Sequence, residues 1–178
     1  VFRGVPVYTQ LVFWGLLAVL YPTLSVGVPF GGPQLASLET EKIVTALAAA
    51  IIGLGLNEGA YMAEIIRSGI NAVDRGQYEA GRSLGMTYPR LMRRIVLPQA
   101  FRVVIAPLGS VLIALTKNTT VASVIGVAEA AALMKTEIET YSDQLFVIFG
   151  VIAAGFMIIT LSEGAVFGYL AKRLAVKR

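Results

Sequence analysis

The sequence predicts an all-α fold: a polytopic transmembrane helix bundle of about four spans, with a short cytoplasmic helix between two of them. Three observations carry this expectation. The 178 residues are 56% hydrophobic and only 15% charged, with a mean hydropathy of +0.74, too apolar for an ordinary water-soluble domain. Four segments approach the roughly 20 apolar residues that a helix needs to cross a bilayer core. The basic residues gather in loops on one side of those segments, and short loops rich in Lys and Arg stay cytoplasmic.

The first segment, Val5 to Tyr21, is apolar apart from Tyr8, Thr9 and Gln10, and Pro22 ends it. Pro29-Phe30-Gly31-Gly32-Pro33 cannot continue a helix, because two prolines remove donors and two glycines add backbone freedom. Thr45 to Ile66 is the second span. Asp74 to Leu84 reads as a short helix, with Asp74 as its N-cap and Gly85 as the left-handed residue that closes it. Thr87 and Pro89 open another helix, and Leu97-Pro98 marks an elbow at the membrane. The third span is Val103 to Thr116, extended backward through Phe101. Thr140 to Asp143 is a polar turn before the fourth span, Leu145 to Leu161, which continues helically toward Leu174.

Charge orients the bundle. Between Asp74 and Arg102 lie six arginines (Arg75, Arg82, Arg90, Arg93, Arg94 and Arg102) against two acids, and the tail adds Lys172, Arg173, Lys177 and Arg178. Glu129 to Asp143 holds four acids and one lysine, and Glu39 to Lys42 two acids and one lysine. The arginine-rich loop and the C-terminus are therefore assigned to the cytoplasm and the acidic loops to the outside. The chain has no Cys and no His, so no Ser-His or Cys-His nucleophile system and no thiolate or imidazole metal site can be built. It is not expected to be an enzyme.

The polar stretch Glu79-Ala80-Gly81-Arg82-Ser83-Leu84-Gly85, followed nine residues on by Ile95-Val96-Leu97-Pro98, stands between strongly apolar segments. A short helix between stiff turns is a rigid lever, able to pass a partner's motion to membrane helices. An amphipathic loop that binds anionic lipid would carry the same arginines.

The spacing resembles the signature of ABC importer permeases: Glu-Ala-Ala, three residues, Gly, nine residues, Ile, one residue, Leu-Pro. Gly81 departs from it, standing where Ala is usual. Phe2-Arg3-Gly4-Val5-Pro6, Gly59-Ala60-Tyr61-Met62-Ala63-Glu64-Ile65-Ile66-Arg67 and Lys117-Asn118-Thr119-Thr120-Val121-Ala122-Ser123-Val124-Ile125-Gly126 are similar to the polar amino acid branch of the type I permeases. The resemblance covers nearly the whole chain. It implies a single permease domain, 1–178, in a bacterial cell membrane, with the first of the family's five spans missing, in keeping with Val1 in place of Met. It implies a path for a polar amino acid, glutamate or glutamine among the candidates. It also implies that a coupling loop, 74–98, docks through Glu79, Ala80, Gly81, Gly85, Ile95, Leu97 and Pro98 in a groove of an ABC ATPase dimer. The other implied partners are a second permease subunit, identical or homologous, an extracytoplasmic amino acid-binding protein and the lipid bilayer, with no nucleic acid. The chain has no Gly-x-x-x-x-Gly-Lys-Ser/Thr loop, so ATP and Mg belong to the partner ATPase, and no cofactor is expected in this chain. Gly81 is expected to loosen the coupling helix, since Gly costs up to about 1 kcal/mol relative to Ala.

Polar groups at membrane depth mark a path or a site. Asn57, Tyr61, Glu64 and Ser68 fall at i, i+4, i+7 and i+11, one stripe of a helix turning about 100° per residue. Arg67 can pair with Glu64, either as a structural ion pair or as part of the path. Lys117, Asn118 and Thr119 interrupt an apolar run. They either break the helix to meet an amino acid or mark the outer membrane boundary. Glu58, off the Asn57 stripe, and Glu163, near water or a tail lysine, carry less weight. Gly53, Gly55, Gly59, Gly164 and Gly168 suit close helix packing. Two other classes stay open: an ion-coupled secondary carrier with Glu64 as its titrating group, and a membrane scaffold recruiting a cytoplasmic enzyme through the arginine-rich loop.

Overall fold

The computed structural model describes residues 2–27 and 34–174. The Pro29–Pro33 break and the tail residues Lys177 and Arg178 lie outside the described residues. The chain packs as two compact units: Val1–Glu58 with Asn118–Ile152, and Gly59–Lys117 with Ala153–Arg178.

In the first unit, a 3-10 turn (Phe2–Gly4) precedes α1 (Val7–Gly15) and α2 (Leu17–Leu20). Gln10 is buried and donates through Nε2 to the carbonyls of Phe2 at 2.7 Å and Val5 at 2.9 Å, tying the entry turn to α1. The single helix expected over Val5–Tyr21 is thus two pieces with Leu16 between them. Val7 to Leu20 would extend only about 21 Å even if straight.

A hairpin follows, β1 (Thr23–Gly27) antiparallel to β2 (Gln34–Glu39), with Thr23 opposite Glu39 and Ser25 opposite Ser37. The all-α expectation omits it. The signal was available in the alternation Thr23-Leu24-Ser25-Val26, a strand period beside a Pro/Gly tract. The hairpin is pinned where the Thr40 hydroxyl donates to the Tyr21 carbonyl and the Thr40 amide to Pro22 O at 3.0 Å. Thr40 opens α3 (Thr40–Ile43), and α4 spans Ala46–Asn71. Leu11 and Trp14 of α1 close over Gly53 of α4, where an added Cβ would stand 2.9 Å from Leu11 Cδ2.

In the second unit, α5 (Arg75–Ser83) leads to α6 (Tyr88–Leu91), a π-turn (Met92–Val96) and α7 (Leu97–Asn118). At Leu97-Pro98, where an elbow is expected, the backbone stays helical. Pro98 has no N–H, and its ring would crowd the carbonyl four residues back. The wider turn makes room, with the Leu97 amide donating to the Met92 carbonyl five residues earlier. The buried positions register the same insertion: Leu91, Val96, Ala100 and Val104 step by five across the π-turn and then by four. Leu91, Val96 and Ala100 form a core with Val73, against which Ile70, Tyr78, Met86, Met92 and Ile95 pack. Gly69 lets α4 meet α7, since a Cβ there would collide with Val104 Cγ1 and come within 3.2 Å of the Ala100 carbonyl.

Beyond α7 the chain tightens into a 3-10 helix (Thr119–Ile125) that ends at Gly126, φ +85°. Then come α8 (Ala130–Thr140), capped by the Glu129 carboxylate at two amides, and α9 (Leu145–Leu174). Among the described residues, three helical stretches are long and apolar enough to cross a membrane: Ala46–Asn71, Tyr88–Ile125 and Ser142–Leu174. The last has the highest mean hydropathy, 2.5, and none of its window is buried. An apolar stretch with so little of its surface buried suits a hydrocarbon surrounding.

Candidate functional site

The candidate coupling loop, 74–98, is built from local chemistry upward. Asp74 caps α5 by accepting from the Gly76 amide at 2.7 Å. At the other end, Gly85 takes φ +70°. Its amide donates to Arg82 O at 2.8 Å, and the Met86 amide donates to Gly81 O at 3.1 Å. This paired closure is a Schellman motif, and it aims Met86 into the core beneath the helix.

The signature residues divide between two surfaces. Glu79 and Ala80 are exposed, as are Arg75 and Arg82 on the same helix. Gly81 is buried, and an added Cβ would collide with Leu91 Cδ1 and stand 3.4 Å from Ile95 Cδ1. Beside the expected propensity cost, Gly81 thus allows a close seat of α5 against the Leu91 and Ile95 side chains of the π-turn run. Ile95 is half-buried against the same core, whereas Leu97 and Pro98 face outward. The Gln99 side chain donates to Ile95 O at 3.0 Å.

Of the candidate path residues, Asn57, Asn118 and Thr119 belong to the first unit. Asn57 and Glu58 are both 4% exposed, and Asn118 Nδ2 donates to Glu58 Oε1 at 2.7 Å. Sequence reasoning gives Glu58 too little weight. Its partner lies sixty residues away along the chain, and no helical stripe encodes that distance. Within Lys117–Thr119 the α-helix ends at Asn118 and continues without a gap into the 3-10 turn.

Tyr61, Glu64, Arg67 and Lys117 belong to the second unit. Glu64 and Arg67 meet at 3.9 Å with both side chains exposed, a pair of small energetic weight. Glu163, expected near water or a tail lysine, has a side-chain partner among the described residues. It accepts from the Thr116 hydroxyl at 2.7 Å, which joins α9 to α7 within this unit. The glycines named from sequence also sort unevenly. Gly53 is tightly packed and Gly164 touches Ile113 at 3.7 Å, but Gly55, Gly59 and Gly168 face open space.

Residues 1–175 match the family described as Binding-protein-dependent transport system inner membrane component. The chain is 54% identical over 129 residues to the Glutamate transport system permease protein GluC of Corynebacterium efficiens, covering 72% of this chain and 57% of that protein. It is 52% identical over 119 residues to the Arginine transport system permease protein ArgU of Corynebacterium glutamicum, covering 67% of this chain and 36% of that one. The chain thus spans between 36% and 57% of the length of these relatives. A solved structure, "Crystal structure of an amino acid ABC transporter with histidines", is similar with 32% identity and a TM-score of 0.73, covering 97% of this chain and 71% of that one.

Proposed function

This chain belongs to the family of binding-protein-dependent transport system inner membrane components, and on that premise we propose that it is the permease subunit of an ATP-driven amino acid importer. Residues 1–178 act as one permease domain that pairs with a second permease subunit. A separate ATPase dimer holds ATP and Mg, and an extracytoplasmic binding protein delivers substrate. The arginine-rich loop and the C-terminus face the cytoplasm. The relatives named for glutamate and arginine transport support an amino acid as the cargo.

One observation carries the coupling assignment. A stiffly capped helix presents Glu79 and Ala80 outward while Gly81 seats it on Leu91 and Ile95, in the same rigid run as α7. Force applied to the exposed face reaches a membrane-spanning helix without passing through a flexible linker. For the cargo, the buried Glu58 with Asn118 offers an acceptor for an α-ammonium group.

The deciding experiment is purification of the full-length protein from native membranes in mild detergent, as wild type and Glu79→Lys. The wild type is expected to retain a P-loop ATPase and the variant to lose it, with equal membrane insertion. A variant that keeps the ATPase and transports at the normal rate would refute the assignment. Uptake that collapses with proton ionophores but persists without ATP would favour an ion-coupled carrier instead.

A further inference from the structure

We propose that a groove of about 480 Å³ on the second unit binds an anionic phospholipid, with its acyl chain along α4 and α7 and its phosphate at Arg93. Ile66 and Ile70 form one wall, and Phe101, Val104 and Leu108 the other. Of the side chains that line the groove, Arg93 is charged and the rest are apolar. That combination is amphipathic in the same sense as a lipid: a long apolar trough ending at a cation.

The trough is cut into helices that cross the membrane, so an acyl chain covers it without exposing apolar surface. The cation selects the headgroup. Arg93 is exposed on the π-turn, with Arg94 beside it and Arg90 three residues earlier on the same run. Among the described residues, Arg93 forms no ion pair. The acids of this stretch are committed elsewhere: Asp74 caps α5, Glu64 lies beside Arg67 and Glu79 points to solvent. Basic pockets between membrane helices recognise phosphate headgroups, each arginine adding an attraction that is screened away from the surface. Such a lipid would bridge the end of α4 and the root of the coupling loop, tying the lever's seat to leaflet composition.

The inference rests on the membrane embedding of α4 and α7, and on the permease reading only for its functional control. The full-length permease with its ATPase is reconstituted in vesicles of mixed phosphatidylcholine and phosphatidylglycerol and re-extracted in mild detergent. The lipids retained are then quantified by mass spectrometry. Wild type is expected to retain phosphatidylglycerol in preference. Arg93→Gln should lower that preference by about fivefold, the contribution of one arginine, while total retained lipid stays unchanged. Ile66→Trp, at an exposed position that fills the trough, should lower retention of both lipids. An unchanged lipid ratio in Arg93→Gln, or unchanged retention in Ile66→Trp, overturns the proposal. Separation of the permease subunits by Ile66→Trp also overturns it, assigning the groove to a protein neighbour. ATP-driven amino acid uptake measured in the same vesicles reports on the permease reading separately: its absence in wild type would count against that reading and leave the lipid ratio decisive for the groove.

Discussion

At the scale of single residues, the most consequential pairing is Asn118 with Glu58. A carboxylate that is 4% exposed on a membrane helix survives only with a partner, and here one amide supplies it at 2.7 Å. Asn118→Leu removes the donor and leaves the acceptor stranded, at a cost of about 1–3 kcal/mol. We expect a lower thermal unfolding midpoint in detergent and loss of substrate-stimulated ATPase activity in the assembled transporter. Asn118→Leu with full activity would remove the pair from the proposed path. Sequence reasoning reached Asn57 and Asn118, because polar residues in apolar runs announce themselves. It set Glu58 aside because residue 58 leaves the stripe of residues 57, 61, 64 and 68. That argument treats α4 as a lone cylinder, whereas contact from a residue sixty positions away decides which of its faces is polar.

At the scale of elements, α5 was legible almost to the residue. Its determinants are local: an Asp at the N-cap, a Gly with positive φ at the end, and fixed spacing to the Leu-Pro pair. What spacing could not show is which signature residues face inward. The collision awaiting a Cβ at Gly81 predicts that Gly81→Leu unseats α5 from Leu91 and Ile95. Overpacking of this kind costs about 1–3 kcal/mol. Limited trypsin digestion in detergent should then cut faster at Arg75 and Arg82, and the ATPase should co-purify poorly. Unchanged digestion would mean that Leu91 yields freely and that the seat is soft. The helical passage through Leu97-Pro98 has a similar lesson. Pro98 signals a lost donor, but a π-turn absorbs the loss within the helix, so a proline marks where the hydrogen-bond ladder changes without fixing whether the chain bends.

At the scale of the whole molecule, orientation rests on charge. Six arginines crowd the segment Asp74 to Arg102, and four acids crowd the segment Glu129 to Asp143. The chain contains no cysteine, so single introduced thiols report sidedness cleanly. In sealed, right-side-out vesicles, Glu137→Cys should react with an impermeant maleimide, whereas Arg82→Cys should react only after permeabilisation. The opposite pattern would invert the assignment and take the ATPase-docking proposal with it.

Hydropathy and charge by themselves determined that this is a membrane protein of long apolar helices, and motif spacing pointed to its family. These are properties of short windows, where propensity, capping and transfer free energy act on neighbours in sequence. Only the tertiary structure decided that the first apolar segment is two short helices beside a hairpin. It alone seated Gly81 on Leu91, gave Glu58 its partner in Asn118 and brought Thr116 to Glu163. Each of these depends on side chains far apart along the chain meeting at close range, where steric exclusion and the need to satisfy buried polar groups choose among arrangements that local sequence leaves equal.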